Sequence, residues 1–266
     1  MSDTARNDVW AQGAGYEQYV GRWSRLVAAD FLQWVTIQPG KTWLDVGCGT
    51  GALTQRILES RAPAKVLGVD PSDGFISHAK SHVTDSRVEF RVGDARALPA
   101  DDATFDAIVS GLVLNFVPDQ PKAVSEMRRV ARPGATVALY VWDYAGEMQL
   151  MRKFWDAAAA LNPKARELDE GLRFPVCRPD ALRDLFVAAG LRDVATKAID
   201  IPTVFRDFDD YWSPFIGGQG PAPGYCVSLA EPERNVLRDR LRSSLPAGRD
   251  GKIHLIARAW AVQGRV

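Results

Sequence analysis

Cysteine and histidine are both scarce in this 266-residue sequence, which holds three of each. Cys48, Cys177 and Cys226 form an odd and irregularly spaced set, which predicts neither a disulfide framework nor a zinc site. His78 and His82 lie four positions apart and can share a helix face, but no cysteine or carboxylate completes a ligand set around them. We therefore predict that the protein binds no metal.

Charge of one sign is also lacking, because 33 Lys and Arg residues balance 33 Asp and Glu residues, and the pI is near 6.8. A neutral chain has no electrostatic footprint for nucleic acid or for an anionic membrane. No apolar run approaches the roughly eighteen residues of a membrane span, and residues 1–15 show no signal peptide. These absences predict a cytoplasmic protein with a small-molecule partner and no nucleic-acid or membrane partner. We expect a monomer or a homodimer.

Apolar segments separated by amphipathic ones are present instead, in strict alternation from Thr42 to Trp142. This alternation predicts a parallel sheet covered by helices on both faces. The predicted strands are 42–46, 65–69, 87–92, 105–110 and 136–142, and the predicted helices between them are 52–60, 71–83 and 120–131.

The pattern is weaker outside this region. Residues 16–35 have helical spacing and predict an N-terminal helix that serves as a lid. After Asp143, we expect helices at 147–161, 179–189 and 231–243 and strands at 194–201 and 251–260. The segment 205–224 is rich in aromatic residues, Gly and Pro, which predicts a loop with one helical turn and a second lid candidate.

The strongest local signal is the glycine-rich segment from Leu44 to Gly51, which follows a strand and opens a helix. Glycines permit positive φ and let a ligand approach the backbone, as in nucleotide cofactor sites at the carboxyl end of a parallel strand. Gly47, Gly49 and Ala52 also satisfy the permissive dinucleotide pattern, so NAD stays open. Asp45 argues against NAD, because its carboxylate repels a pyrophosphate and attracts a cationic sulfonium amino acid.

Two further carboxylates end the second and third predicted strands. Asp70 can accept hydrogen bonds from ribose hydroxyls, or it can cap the helix that begins at Pro71. Asp94 can accept a hydrogen bond from an adenine amine, or it can be a turn aspartate that bonds its own backbone. Their placement beside the glycine turn favours a cofactor site.

At this point the sequence resembles the class I S-adenosylmethionine-dependent methyltransferases, in particular the small-molecule group that includes ubiquinone and menaquinone biosynthesis enzymes. The resemblance covers about residues 40–145. It is carried by the segments 44–51, 69–72, 93–95, 105–109 and 129–134. It implies a Rossmann-like α/β fold with a seven-stranded, mostly parallel sheet, an antiparallel last strand, helices on both faces and an N-terminal helical lid.

The resemblance also implies S-adenosyl-L-methionine as the cofactor and S-adenosyl-L-homocysteine as the product. The residues that it assigns to the cofactor are Asp45, Gly47, Cys48, Gly49, Gly51, Asp70, Pro71, Ser72, Phe75, Gly93, Asp94, Ala95, Ser110, Gly111 and Leu112. We add Tyr19 and Arg22 of the predicted lid, where Arg22 either pairs with the cofactor carboxylate or faces solvent. Cys48 is interpreted as a packing residue rather than a nucleophile.

The acceptor is expected above the carboxyl ends of the fourth and fifth strands, and Asn115, Asp143 and Tyr144 are the candidates to line that region. Asn115 stands where many relatives carry His or Gln, and its amide either orients a ligand or caps the turn before Pro118. Trp142 is interpreted as core.

The predicted organisation is one methyltransferase domain spanning 1–266. It comprises a lid (1–38), a cofactor-binding core (40–145), variable substrate-side segments (146–178 and 203–250) and the segments that complete the sheet (179–202 and 251–262). The predicted activity is methyl transfer to a small molecule by in-line displacement. An NAD-dependent oxidoreductase and a non-catalytic cofactor-binding protein of the same fold stay open as alternatives.

Overall fold

The computed structural model describes residues 22–217, 220–246 and 248–266, and within them a seven-stranded sheet has the order β3-β2-β1-β4-β5-β7-β6. The strands are β1 (Thr42–Val46), β2 (Lys65–Asp70), β3 (Val88–Val92), β4 (Phe105–Gly111), β5 (Ala131–Trp142), β6 (Arg192–Phe205) and β7 (Ile253–Arg265). β1 pairs in parallel with β2 and β4, as do β2 with β3 and β4 with β5, whereas β7 runs antiparallel to β5. This is the predicted Rossmann-like sheet with its antiparallel last strand.

The α-helices of the described chain differ in length and in their part of the sequence. They are α1 (Arg22–Trp34), α2 (Ala52–Ser60), α3 (Asp73–His82), α4 (Gln120–Val130), α5 (Gln149–Leu161), α6 (Glu170–Arg173), α7 (Pro179–Ala188), α8 (Phe208–Trp212), α9 (Pro221–Ser228) and α10 (Glu231–Ser244). Short 3₁₀ helices span Leu114–Phe116, Pro163–Leu168 and Ser213–Gly217.

Two compact units share the chain, and the first contains most of the sheet. It comprises Trp23–Asp143, Phe174–Ile201 and Arg258–Val266. The central strands are buried on both faces, which explains their continuous apolar runs. In α1, Val27 and Phe31 are buried at helical spacing, and the Phe31 ring lies 4.7 Å from that of Tyr140 in β5. The predicted N-terminal helix is thus confirmed from residue 22 onward, and its earlier residues lie outside the described part of the chain.

The second unit is mostly helical, and its described part comprises 144–173, 202–217, 220–246 and 248–257. Aromatic rings hold it together: Phe154 of α5 stacks on Phe215 at 4.4 Å, and the buried Tyr211 hydroxyl donates to Leu150 O at 3.0 Å. The Arg152 guanidinium forms a bidentate ion pair with the Asp169 carboxylate, with Nη1–Oδ1 and Nη2–Oδ2 distances of 2.7 Å each. Because the chain divides into two compact units, its organisation as one methyltransferase domain stays a prediction.

One structural expectation is wrong. The segment 205–224 is not a loop with one turn, because α8, a 3₁₀ helix and the start of α9 occupy it. Residues 162–179, for which the sequence shows no regular pattern, also contain a 3₁₀ helix and α6. These helices are too short to show a 3.6-residue period, and Pro214, Pro221 and Pro223 conceal them, although proline is compatible with a first helical turn.

The strand ends also differ from the prediction. β5 begins at Ala131 rather than after the expected stop at Pro133 and Gly134, and Gly134 has a φ of 79° inside it. β6 extends four residues beyond Ile201 to Phe205, and β7 extends five residues beyond Trp260 to Arg265. In the described residues, we find no helix of the length and apolarity that a membrane crossing requires.

Gly68 in β2 is a position where packing admits no side chain, which leads to a test of the fold. A Cβ on Gly68 would lie 2.5 Å from Cδ1 of Phe90 and 3.0 Å from Sγ of Cys48. We expect Gly68→Ala to lower the free energy of unfolding by about 1–3 kcal/mol, the usual cost of overpacking. Urea denaturation followed by circular dichroism measures this change.

Gly74→Ala is the matched control, because a Cβ there meets only Ser72 Oγ, at 3.8 Å, and the residue is helical. We expect this control to be neutral or stabilising, since alanine favours helix. Equal stability of Gly68→Ala and the wild type would contradict the packing of β2 against β3.

Candidate functional site

The glycine-rich turn after β1 has the backbone conformation that the sequence predicts. Gly47, Gly49 and Gly51 have φ values of 71°, 53° and 90°, a region that side chains disfavour. A Cβ on Gly47 would lie 2.5 Å from Val113 Cγ1, whereas no described atom lies within 4 Å of a Cβ built on Gly49. Among the described residues, the space beside the half-buried Gly49 is therefore open to a ligand, whereas Gly47 is tightly packed.

Asp70, the last residue of β2, connects this turn to the next helix. Its Oδ2 accepts a hydrogen bond from Gly49 N at 3.0 Å, and its Oδ1 accepts one from Ser72 N at 2.9 Å. Burial raises the pKa of this carboxyl, and the two hydrogen bonds lower it. The prediction that Asp70 caps the helix is wrong: Ser72 is the N-cap of α3, and its Oγ accepts from Phe75 N at 3.3 Å.

Asp45 in β1 is almost completely buried, with 1% of its surface exposed. Its Oδ2 accepts a hydrogen bond from Thr54 Oγ1 at 2.7 Å, and its Oδ1 has no hydrogen-bond partner among the described residues. Burial raises the pKa of Asp45 to about 7, with repulsion from Asp70 adding to the rise and the Thr54 hydrogen bond opposing it. A cationic group beside Oδ1 would stabilise the carboxylate, so the position fits an ammonium or a sulfonium.

The sequence analysis did not identify Thr54 as a site residue, although its hydroxyl donates a hydrogen bond to Asp45. It is the third residue of α2 and is fully buried between Leu53 and Ile57. The sequence signal that could have identified Thr54 is its hydroxyl on the apolar face of α2, the helix that follows the glycine turn. Such a buried hydroxyl requires a partner, and β1 lies under that face.

Asp94 is half-exposed and forms a turn beyond β3. Its Oδ1 accepts from Arg96 N at 2.8 Å, and the Arg96 guanidinium lowers the pKa of the carboxyl. The turn interpretation is thus confirmed, and a role in adenine recognition stays a prediction, as it does for Ala95. Gly93 N donates to Asp70 O at 3.0 Å, which brings the carboxyl ends of β2 and β3 together.

The remaining predicted cofactor residues have varied surroundings, and their ligand roles stay predictions. Pro71 is exposed and Phe75 is half-buried. Ser110 is buried and its Oγ donates to Val46 O at 2.7 Å, while a Cβ on Gly111 would lie 2.6 Å from the Tyr140 hydroxyl. Leu112 has a φ of 62° and ends the strand in a tight turn.

Cys48 is a buried packing residue, as predicted, and burial raises the pKa of its thiol well above the usual range. It is therefore protonated near neutral pH and does not act as a thiolate nucleophile. Tyr19 lies outside the described residues, and so does the side chain of Arg22, although Arg22 begins α1.

Asn115 lies in the 3₁₀ helix that follows β4, with 5% of its surface exposed. Neither Nδ2 nor Oδ1 of its amide has a hydrogen-bond partner among the residues that the structure describes. The interpretation of Asn115 as a turn cap is therefore wrong. Buried amides without partners are rare, because the lost hydration is not replaced.

Asp143 and Tyr144 are both buried. Asp143 belongs to the sheet unit, where its backbone N donates to Arg258 O at 2.9 Å, whereas Tyr144 begins the helical unit. Their role in an acceptor site stays a prediction. Trp142 is 2% exposed, which confirms it as core.

Comparison with known proteins gives one family match that lies within the sheet unit. A family profile described as "Methyltransferase domain" matches residues 44–139. A demethylmenaquinone methyltransferase of Shouchella clausii is 32% identical over 64% of this chain and 78% of its own length. A 2-methyl-6-phytyl-1,4-hydroquinone methyltransferase of Synechocystis is 29% identical over 82% of this chain and 76% of its own.

Solved structures show the same fold. The crystal structure of the YcgJ protein of Bacillus subtilis superposes with a TM-score of 0.61 over 90% of this chain and 97% of its own, at 18% sequence identity.

The raised pKa of Asp45 predicts a pH dependence of stability without any ligand. The carboxyl is neutral in the folded protein up to about pH 7, while in the unfolded chain it ionises near pH 3.9. Its contribution to stability is therefore complete below about pH 4 and is lost as the pH rises to about 7, at up to about 1.4 kcal/mol per pH unit.

Asp45→Asn removes this titration and keeps an oxygen for the Thr54 hydroxyl. Burial also raises the pKa of Glu170 to about 7, and subtracting the variant from the wild type cancels that contribution. We expect the free energy of unfolding of the variant, relative to wild type, to increase between about pH 4 and pH 7 and to level off above that. Denaturant titrations across this range test it, and a difference that does not vary with pH would contradict a buried, titrating Asp45.

Proposed function

The chain belongs to the class I S-adenosylmethionine-dependent methyltransferases and methylates a small-molecule acceptor, and we propose that this acceptor is a hydroxylated aromatic ring of the hydroquinone type. Two relatives with most of their length matched carry the names of demethylmenaquinone and 1,4-hydroquinone methyltransferases. The observation that supports the cofactor side most strongly is the buried Asp45 Oδ1, which has no partner among the described residues and lies beside a bare glycine turn.

The residues at the carboxyl ends of β1, β2 and β3 fit S-adenosylmethionine. We propose that the Asp70 carboxylate binds the ribose hydroxyls, because acceptor oxygens next to the open space at Gly49 suit a diol. The Asp45 carboxylate faces the charged end of the methionine portion, directly or through water. An anionic pyrophosphate would be repelled by Asp45 and Asp70 together, which disfavours NAD.

When bound, S-adenosylmethionine would supply a methyl group activated by the positive charge on sulfur, for in-line attack by the acceptor with S-adenosylhomocysteine as the leaving group. The protein contributes alignment and exclusion of water, effects that reach about 7–11 kcal/mol in favourable systems. The buried residues at the carboxyl end of β4 would exclude water from the reacting groups. No thiolate is required, in agreement with the protonated Cys48.

A hydroxylated ring must also lose a proton during methylation. Asn115 cannot accept it, because an amide is not basic near neutral pH. Among the three acceptor-side candidates, Asp143 is the one with a carboxylate, and it is the proposed proton acceptor. A cytoplasmic location stays part of this proposal, and the choice between monomer and homodimer stays open.

The proposed acceptor class predicts the outcome of an assay. With S-adenosylmethionine and a reduced 1,4-naphthohydroquinone or methyl-1,4-hydroquinone, we expect mass spectrometry to detect a product heavier by one methyl group. Ethanolamine and benzoate are the controls, and we expect no product from them. Methylation of the amine alone would contradict the acceptor class, and absence of any product despite cofactor binding would favour a non-catalytic protein.

The role of Asp70 predicts a loss of cofactor affinity. We expect Asp70→Ala to weaken S-adenosylhomocysteine binding by about 1–3 kcal/mol in calorimetric titration, because charged hydrogen bonds are lost. Asp85→Ala is the matched control, since this carboxylate binds Arg87 at the amino end of β3.

We expect the control variant to bind S-adenosylhomocysteine as the wild type does, and NAD to bind neither protein. Unchanged affinity in Asp70→Ala would remove Asp70 from the site. Tight NAD binding without S-adenosylhomocysteine binding would overturn the cofactor assignment.

A further inference from the structure

The buried amide of Asn115 is a polar group for which the described part of the chain offers no partner. Burying an amide without hydrogen bonds costs free energy, and leucine, which has a similar shape, would avoid that cost. Other described side chains have one buried polar atom without a hydrogen-bond partner, whereas Asn115 has two, Nδ2 and Oδ1. The arrangement indicates that a bound molecule supplies the missing partner.

The position of Asn115 separates it from the proposed adenosine side. In the sheet order, β2 and β3 lie on one side of β1 and β4 lies on the other. Asp70 and Asp94 end the strands on the first side, whereas Asn115 follows β4. The same segment is held against the glycine turn, because Val113 occupies the space beside Gly47. Asn115 thus lies on the side left for the acceptor.

Aromatic surface adjoins this amide in the chain. The ring of Phe116 meets the ring of Phe174 edge to face, with centroids 5.3 Å apart, and both side chains are half-buried. A flat apolar ring can pack on such a surface, while a neutral amide pairs best with a neutral group that both donates and accepts hydrogen bonds. A ring hydroxyl combines these properties.

We propose that Asn115 binds and orients the acceptor by accepting a hydrogen bond at Oδ1 from a ring hydroxyl, with Nδ2 donating to an oxygen of the same molecule. This inference rests on the proposed function, whose acceptor class it shares. It assigns Asn115 to acceptor specificity rather than to proton transfer or to cofactor binding.

The test pairs a change in the protein with a change in the ligand. The protein, loaded with S-adenosylhomocysteine under anaerobic reducing conditions, is titrated calorimetrically with 1,4-naphthohydroquinone and with its 1,4-dimethyl ether, which cannot donate. We expect the wild type to prefer the hydroquinone by at least about tenfold, about 1.4 kcal/mol. We expect Asn115→Leu to bind the two compounds equally, because the variant lacks the Oδ1 that accepts the hydrogen bond of the ring hydroxyl.

Three further measurements separate this role from a structural one. Asn115→Leu should unfold at or above the wild-type temperature, since an unpaired amide is removed. Its affinity for S-adenosylhomocysteine should stay within about twofold of the wild type. Asn115→Asp, which keeps the acceptor oxygen, should restore part of the preference. Asn162→Leu is the control, because Asn162 is an exposed cap whose Oδ1 accepts from Lys164 N, and it should leave the preference unchanged.

Several outcomes would overturn the proposal for Asn115. Equal preference in wild type and Asn115→Leu would show that the amide does not contact the hydroxyl. A weakened affinity for S-adenosylhomocysteine with an unchanged preference would assign the amide to the cofactor. Absence of hydroquinone binding to the wild type would remove the ligand class.

Because binding is measured without turnover, failure of this inference is distinguishable from failure of the proposed function. Selective binding without methylation contradicts the proposed acceptor reaction and supports the role of Asn115. Methylation of the hydroquinone by the wild type, with Asn115→Leu still preferring the hydroquinone over its dimethyl ether, supports the proposed function and contradicts the role of Asn115.

Discussion

A single carboxylate connects the parts of the cofactor-side site. Asp70 accepts one backbone N–H from the glycine turn after β1 and another from the start of α3, and its own carbonyl oxygen accepts from Gly93 N beyond β3. The carboxyl ends of three neighbouring strands are therefore held together through one residue. A ligand that binds here meets a turn that is already ordered, which reduces the entropy lost on binding.

This arrangement carries an electrostatic cost that a ligand can offset. Asp45 and Asp70 are both buried, and each has a raised pKa in the absence of a counterion. A positively charged ligand would lower the energy of the carboxylates and satisfy Asp45 Oδ1, whereas an anionic one would raise it. The choice of a sulfonium amino acid over a dinucleotide thus follows from charge rather than from glycine spacing, which permits both.

The two units contribute differently to what can be inferred about activity. The matched family region, 44–139, lies entirely within the sheet unit, so the shared part of the family is the part that carries the glycine turn and the strand-end carboxylates. The helical unit depends on aromatic stacking and on the largely buried Arg152–Asp169 ion pair.

The sequence by itself determined the sheet unit closely: β1 and α2 have exactly the predicted bounds, because alternating apolar runs and a glycine turn are local signals. It also supplied the turn aspartate at Asp94 and the packing role of Cys48. Tertiary structure alone decided that Ser72 rather than Asp70 caps α3, that Thr54 binds Asp45, that the amide of Asn115 lacks a described partner, and that 205–224 folds into short helices. Asp70 binds Gly49 N, Thr54 binds Asp45 and Asn115 is buried because of groups that meet across the fold, and neither residue spacing nor composition records those meetings. The short helices lack a full helical period, so the sequence pattern does not reveal them.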